Sequence, residues 1–244
     1  MIKLVNLSYA IGGRMILDRI QLNVERGETL VIMGPSGCGK STLLRLIMGL
    51  ITPTAGWVEI DAIGTAGFSK EEWRQIRQRM GMVFQSSALF DSLNIYDNVA
   101  FGLRRKGLPE DEIRERVYQT LSIVGLEAET AAKMPADLSG GMKKRTAIAR
   151  AVATQPPILL YDEPTTGLDP IIADTINELI RDLQHRLGIT SVVVTHDIQS
   201  ALKVADRVGL LNEGDLVEIR PRNELDRVTH PLFRQFLHNF RMEI

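Results

Sequence analysis

The sequence predicts an α/β fold organised around a phosphate-binding loop, and three observations carry the prediction. A continuous apolar run, Thr29-Leu30-Val31-Ile32-Met33, enters the glycine-rich Gly34-Pro35-Ser36-Gly37-Cys38-Gly39-Lys40-Ser41, after which Leu43, Leu44, Leu46, Ile47 and Leu50 recur at helical spacing. A second apolar run, Ile158-Leu159-Leu160-Tyr161, ends on the acids Asp162-Glu163. A third, Ser191-Val192-Val193-Val194, leads to His196, and a helical pattern around Ile171 to Leu187 supplies the crossover between the last two. Short, fully apolar strands alternating with helices belong to a parallel sheet covered on both faces.

The remaining elements fit this frame in order. Met1-Ile2-Lys3-Leu4 opens on strand alternation, and Leu22-Asn23-Val24 leads to a turn at Arg26-Gly27-Glu28. Gly49 and Pro53 close the first helix, and Trp57-Val58-Glu59-Ile60 reads as a short strand. Pro109-Glu110-Asp111-Glu112 reads as a helix start, with proline in the first turn and acids favoured by the helix dipole; Ile113, Val117 and Leu121 mark its inner face. A further helix begins after Ser139 and runs to about Val152. The expected architecture is a core of residues 1–85 and 156–220 with a β-rich N-terminal part, a helical insertion at 86–155 and a tail at 221–244.

Composition narrows the class. A net charge of −1 provides no basic field that would argue for nucleic acid or anionic lipid. Cys38 is the only cysteine, which excludes an internal disulfide and points to a reducing compartment. No apolar run reaches the roughly 18–20 residues that span a bilayer. The N-terminus lacks the basic, apolar and cleavage regions of a signal peptide. A membrane role would therefore need another protein to bring the chain there.

The glycine-rich run satisfies G-x-x-x-x-G-K-[ST] in the required strand–helix context. Its glycines let main-chain amides turn inward on phosphate, and the helix N-terminus adds partial positive charge. Lys40 is placed to reach the β- and γ-phosphates and Ser41 to bind Mg²⁺. Cys38 reads as a small buried loop residue. Acids at the carboxyl end of a strand lie where ligands bind in such sheets, so Asp162 suits a metal and Glu163 suits a general base. His196, after another strand of the sheet, could meet the γ-phosphate; with no second His or Cys nearby it does not suggest zinc.

Leu138-Ser139-Gly140-Gly141 makes the reading specific. Ser139 is a good N-cap, and the two glycines expose amides at a helix N-terminus, which makes a second anion site. With the phosphate loop, this signature makes the chain resemble the ABC ATPase family over essentially its whole length. The resemblance implies a RecA-like core with a β subdomain and a helical signature subdomain. It implies that Tyr9 stacks on adenine, that residues 34–42, through Ser41 and Thr42, form the loop around ATP, and that Gln85 contacts Mg²⁺ and senses a membrane partner. Asp162 and Glu163 match the metal-binding acid and the base, Gly167-Leu168-Asp169 the loop that crosses the dimer interface, and His196 the switch histidine. In this family Ser139, Gly140 and Gly141 close on ATP held by a second copy, so a single chain holds incomplete sites. Dimer closure and opening then drive an integral-membrane permease, which contacts the chain near Gln85 to Asn98 at the cytoplasmic face of the inner or plasma membrane.

Position 142 is Met where most of the family has glutamine. Leu138-Ser139-Gly140-Gly141-Met142-Lys143-Lys144-Arg145 is similar to the subgroup that powers bacterial and plastid lipid transport with MCE-domain proteins. Asp169-Pro170-Ile171, the stretch Phe84 to Leu93 and Pro231 to Leu237 resemble that subgroup too. The resemblance implies a phospholipid or related substrate and an MCE-domain partner. A small-solute importer shares the chemistry and differs in partners, and Met142 and the tail argue against it. A soluble ABC protein of DNA repair or translation would carry paired cassettes, zinc modules or coiled-coil arms, and this chain has one cassette, one cysteine and no long heptad run.

Two further features carry expectations. Lys143, Lys144 and Arg145 read as a solvated basic helix face. Leu232, Phe233, Phe236, Leu237 and Phe240 form an apolar stripe at helical spacing, expected to pack on its own domain and in part to contact the second ATPase subunit.

Overall fold

The computed structural model describes residues 1–241, with side chains described through His238. In chain order the elements are β1 (Ile2–Ile11), β2 (Arg14–Val24), β3 (Thr29–Met33), α1 (Lys40–Ile47), β4 (Ala55–Ile60), β5 (Ile63–Gly64), α2 (Lys70–Arg77), β6 (Met80–Val83), α3 (Ile95–Arg105), α4 (Glu110–Ile123), α5 (Gly140–Val152), β7 (Ile158–Asp162), α6 (Pro170–Leu187), β8 (Thr190–Thr195), α7 (Ile198–Val204), β9 (Arg207–Asn212), β10 (Asp215–Pro221) and α8 (Pro231–Arg241).

A six-stranded sheet in the order β10-β9-β3-β8-β7-β6 forms the centre, and β2-β1-β4-β5 form a separate antiparallel sheet. Strands β9, β3, β8, β7 and β6 run parallel; only β10 is antiparallel, joined to β9 by a hairpin. The period of two along each central strand divides the interior into two cores. Leu30, Ile32, Leu160, Val192 and Val194 face the layer of α1 and the antiparallel sheet, with Leu43, Leu44, Leu4 and Leu17. Val31, Met33, Leu159, Tyr161 and Val193 face the helical layer, with Val99, Leu121, Ile148 and Ile180. Burial on both faces explains why these strands are apolar throughout rather than alternating.

The sequence places the helix starting near Pro109 one residue early. Pro109 has φ −61° and ψ 148°, so it caps the helix from outside and Glu110 is the first helical residue; Glu110, Asp111 and Glu112 fill the first turn as expected. No sequence signal singles out α2, α3 or α7 individually, although α3 falls within the helical insertion expected at 86–155. Ser69 and Glu72 form a capping box on α2, whose inner surface is little more than Ile76, too little for an apolar stripe. α3 and α7 hold their starts by side-chain caps from Asn94 and Asp197. Helix α5 packs on α3 and α4, on β6 and on α6, which joins the helical layer to the sheet.

The tail docks on its own domain. Phe233 is fully buried in the helical-layer core, Phe236 and Leu237 are partly buried against it, and Leu232 is exposed; the Phe240 side chain lies outside the described residues. Glu218 on β10 holds the start of α8. Its carboxylate accepts from Thr229 N–H (3.1 Å), His230 N–H (2.8 Å) and Arg220 Nε (2.6 Å). Burial opposes the charge, but these donors overcome it and pull the Glu218 carboxyl from 4.5 down to about 2. A depressed carboxyl stabilises the fold above its unfolded value and loses that contribution as pH falls through the folded one, here between 4.5 and about 2. We expect Glu218→Ala to cost about 1–2 kcal/mol in urea unfolding at pH 7, and limited proteolysis to clip the tail sooner. Unchanged stability and cleavage would show that Phe233 alone anchors α8.

Candidate active site

The phosphate loop follows β3, His196 follows β8, Asp162 ends β7 with Glu163 next to it, and Gln85 follows β6. These are four neighbouring strands, so all these residues emerge at one carboxyl edge. Register brings them together: Met33 pairs with Thr195 and Asp162 with Val194.

Sterics explain the loop's glycines at two positions. A Cβ on Gly34 would lie 2.2 Å from the Leu211 carbonyl oxygen, and one on Gly39, at φ +110°, would lie 2.8 Å from Leu17 Cδ2. Pro35, Ser36 and Gly37 are exposed, and Thr42 in the first turn of α1 is half-buried. Cys38 is buried, and burial pushes its thiol up, which makes it a poor nucleophile as its loop position suggests.

Lys40 is buried and donates to the carbonyls of Gly34 (2.8 Å) and Pro35 (3.0 Å), with its ammonium 3.5 Å from Glu163 Oε1. Ser41 Oγ donates to Asp162 Oδ1 at 2.8 Å. Burial raises the Asp162 carboxyl, and the Ser41 hydrogen bond works against that.

Glu163 is the most constrained acid of the site. Its φ of +48° is a left-handed conformation unusual for this residue type, of the kind that concentrates at functional sites. Its N–H is fixed to the Val194 carbonyl at 2.9 Å. Oε2 accepts from Thr166 Oγ1 (2.9 Å) and Thr195 Oγ1 (3.3 Å) and lies 2.9 Å from His196 Nδ1. The carboxylate is thus pinned through Oε2, while Oε1 lies beside Lys40. Thr166 and Thr195 have no motif signal of their own; only their adjacency to Glu163 and His196 in sequence marks them. His196 itself is half exposed and contacts the site through this one carboxylate.

Gln85 enters by its main chain. Its side chain is exposed, and its carbonyl accepts from Lys144 Nζ at 2.8 Å. This corrects the expectation of a solvated basic face on α5: Lys144 is 2% exposed, and burial pulls its ammonium down to about 8 against the pull of Asp162 and Glu163. Arg145 is half-buried and donates to the carbonyls of Val124 and Gly125. The signal lay in spacing, because 144, 147, 148 and 151 form one helical stripe whose other members are Ala147, Ile148 and Ala151.

Tyr9 sits on β1 opposite Leu17, beside a register shift, and is half-buried at the edge of the core under α1. Ser139 caps α5, its Oγ accepting from Met142 N–H at 3.3 Å. Asp169 caps α6, accepting from Ile172 N–H at 3.0 Å. The signature lies against this second cap: a Cβ on Gly141 would lie 2.6 Å from Ile172 Cγ2, and one on Gly140 would lie 3.4 Å from Leu168 Cδ2. Among the described residues no hydrogen bond joins Ser139, Gly140 or Gly141 to the phosphate loop of the same chain. The structure therefore assembles Lys40, Ser41, Asp162, Glu163 and His196 into one site and presents Ser139–Gly141 with Asp169 as a second surface.

A hydroxyl and a carboxylate 2.8 Å apart, both hard oxygen donors, fit Mg²⁺, which binds few protein ligands and takes its remaining oxygens from phosphate and water. Among the described residues no helix is long and apolar enough to cross a membrane.

Comparison with known proteins agrees with this geometry. The family description "ABC transporter" matches residues 17–166. The intermembrane phospholipid transport system ATP-binding protein MlaF of Haemophilus influenzae is 45% identical over 207 residues, covering 84% of this chain and 78% of the relative. The methionine import ATP-binding protein MetN of Carboxydothermus hydrogenoformans is 39% identical over 240 residues, covering 97% and 71%. Among solved structures, a dimeric post-hydrolysis state of the ATP-binding cassette MJ0796 bound to ADP and Pi superposes with a TM-score of 0.84 at 39% identity, covering 91% of this chain and 99% of that one. The chain belongs to the ABC transporter family, with its P-loop ABC ATPase fold, and is an ATP-binding subunit that hydrolyses ATP to power transport.

Proposed function

We propose that the chain drives transport of phospholipid, or a closely related lipid, through a membrane permease. The observation that carries this reading is the 45% identity to a phospholipid transport ATP-binding protein over most of both chains. Met142 and the tail, as read from the sequence, favour it independently. The similarity to a methionine import protein over nearly the whole chain supports the second reading, a small-solute importer, in which the ATPase chemistry is unchanged.

In this reading residues 1–85 and 156–220 form the ATP-binding core, 86–155 the signature subdomain and 221–244 the tail. ATP lies along residues 34–42, with Tyr9 against adenine. Ser41 and Asp162, with Gln85 as a third ligand, would hold Mg²⁺, and the ion would supply neutralising charge for the terminal phosphates. Lys40 turns its ammonium from the Gly34 and Pro35 carbonyls to the phosphates. Glu163 takes the proton from the attacking water, and Thr166, Thr195 and His196 hold the carboxylate in place for it. Ser139, Gly140 and Gly141, with Asp169 beside them, complete the site of a second copy, so two chains sandwich two ATP molecules.

The permease seats on the segment Gln85 to Asn98, at the inner face of the membrane. Phe90 and Phe101 favour this surface: they are 40% and 38% exposed, with ring centroids 4.7 Å apart, a compact aromatic pair of a type enriched at interfaces. An MCE-domain protein is the expected further partner.

The test is mild-detergent purification of the tagged chain from its own membranes, with mass spectrometry of proteins and lipids. A polytopic permease, an MCE-domain protein and phospholipid are expected together, and Phe90→Ala/Phe101→Ala should recover at least tenfold less permease. A solute-binding protein in place of the MCE-domain protein would move the assignment to the importer.

A further inference from the structure

Lys144 and Arg150, both on α5, hold the main chain of the segment that follows β6. Lys144 Nζ donates to the carbonyls of Phe84 (3.2 Å) and Gln85 (2.8 Å). Arg150 donates from Nη1 to the Ala88 carbonyl (2.6 Å) and from Nη2 to the Ser87 carbonyl (2.9 Å), and its guanidinium lies 5.6 Å from the centroid of the Phe90 ring. The anchored segment is conformationally unusual. Ser87 and Ala88 are consecutive non-glycine residues at φ +64° and +46°, which persist only when their surroundings fix them. Burying an ammonium on carbonyl acceptors is costly, so a lysine kept there marks a contact that the structure depends on. The same helix begins at Ser139, Gly140 and Gly141. A rigid helix therefore runs from the signature to four carbonyls of the segment that carries Phe90.

We propose that Lys144, assisted by Arg150, is the positioning residue that makes the 84–90 segment and the signature helix one mechanical unit, so that a permease seated on Phe90 sets the position of Ser139–Gly141 and with it the rate of ATP turnover. This rests on the docking surface proposed above. Lys144 acts through the Phe84 and Gln85 carbonyls and helix α5. Lys144→Met keeps an unbranched side chain, one atom shorter, and removes every donor. A glutamine restores N–H donors without the charge.

The experiment uses the whole permease complex and measures ATP turnover with and without the permease for Lys144→Met, Lys144→Gln and the parent. The expected result is a stimulation ratio reduced at least fivefold in Lys144→Met, with permease recovery unchanged, and restored to within about twofold of the parent in Lys144→Gln. Parental stimulation in a folded Lys144→Met overturns the proposal. Equal loss in both variants also overturns it, because it assigns the effect to charge near Asp162 and Glu163 instead of to the carbonyl contacts. If Lys144→Met does not fold, Arg150→Met decides by the same ratio. Failure of the docking reading shows separately, as parental permease recovery by Phe90→Ala/Phe101→Ala.

Discussion

Glu163→Gln is expected to lower ATP turnover by about 10²–10⁴-fold, the loss typical of removing a general base, while ATP binding is kept. The substitution is nearly isosteric, and the amide oxygen can occupy the Oε2 position and keep the contacts with Thr166 and Thr195. What changes is the side facing Lys40. There Oε1 lies 3.5 Å from the ammonium, and an amide NH₂ brings no acceptor charge and no basicity. The fold and the phosphate loop are thus preserved and the proton acceptor is lost. ATP that binds and cannot be hydrolysed should hold two copies together, so the variant should run as a dimer in gel filtration with ATP and as a monomer without it. Turnover at the parental rate would remove Glu163 from the role of base. Lost ATP binding would mean that its main task is to hold Lys40.

Much of this site was legible in the sequence because its residues are bound to strand ends. Lys40, Asp162, Glu163 and His196 each follow a short apolar run of buried-strand type, and parallel strands deliver their carboxyl ends to one edge. The pairing of Ser41 with Asp162 follows from the sheet order, which the sequence does not encode locally. The order β3-β8-β7-β6 arises from pairings that span 162 residues (Thr29 with Ser191), 32 residues (Ile158 with Thr190) and 78 residues (Met80 with Ile158). The contact of His196 with Glu163 was hidden for the same reason. Lys144 was misread for a different one: three consecutive cations look solvated, and only the helical register separates the buried member from its neighbours. The short helices α2 and α7 lack an apolar stripe long enough to show periodicity and are fixed by caps and tertiary packing. Tyr9 and Asp169 owe their assignments to family resemblance, and the structure gives Asp169 a cap to hold and Tyr9 a place at the edge of a core.

Two inactive variants should restore activity to each other when mixed, which is the sharpest consequence of a site shared between copies. Ser139→Asp keeps the helix cap, because aspartate is as good an N-cap as serine. It also places a carboxylate where the γ-phosphate of the second copy is to be received. Turnover should fall by about 10²–10³-fold, the scale of losing one stabilising donor at an anion site, with ATP binding to the separate chain unchanged. In a mixed dimer of Ser139→Asp with Glu163→Gln, one site combines both defects. The other combines the intact Glu163 of the first chain with the intact Ser139 of the second. Random pairing of equal amounts makes half of the dimers mixed, each with one sound site of two, so about a quarter of parental activity should return if each site turns over independently in a two-fold symmetric assembly. If Ser139 served the phosphate loop of its own chain, each polypeptide would keep its own defect and the mixture would stay as inactive as its parts. Because the signature and the phosphate loop of one chain share no hydrogen bond among the described residues, recovery is the expected result.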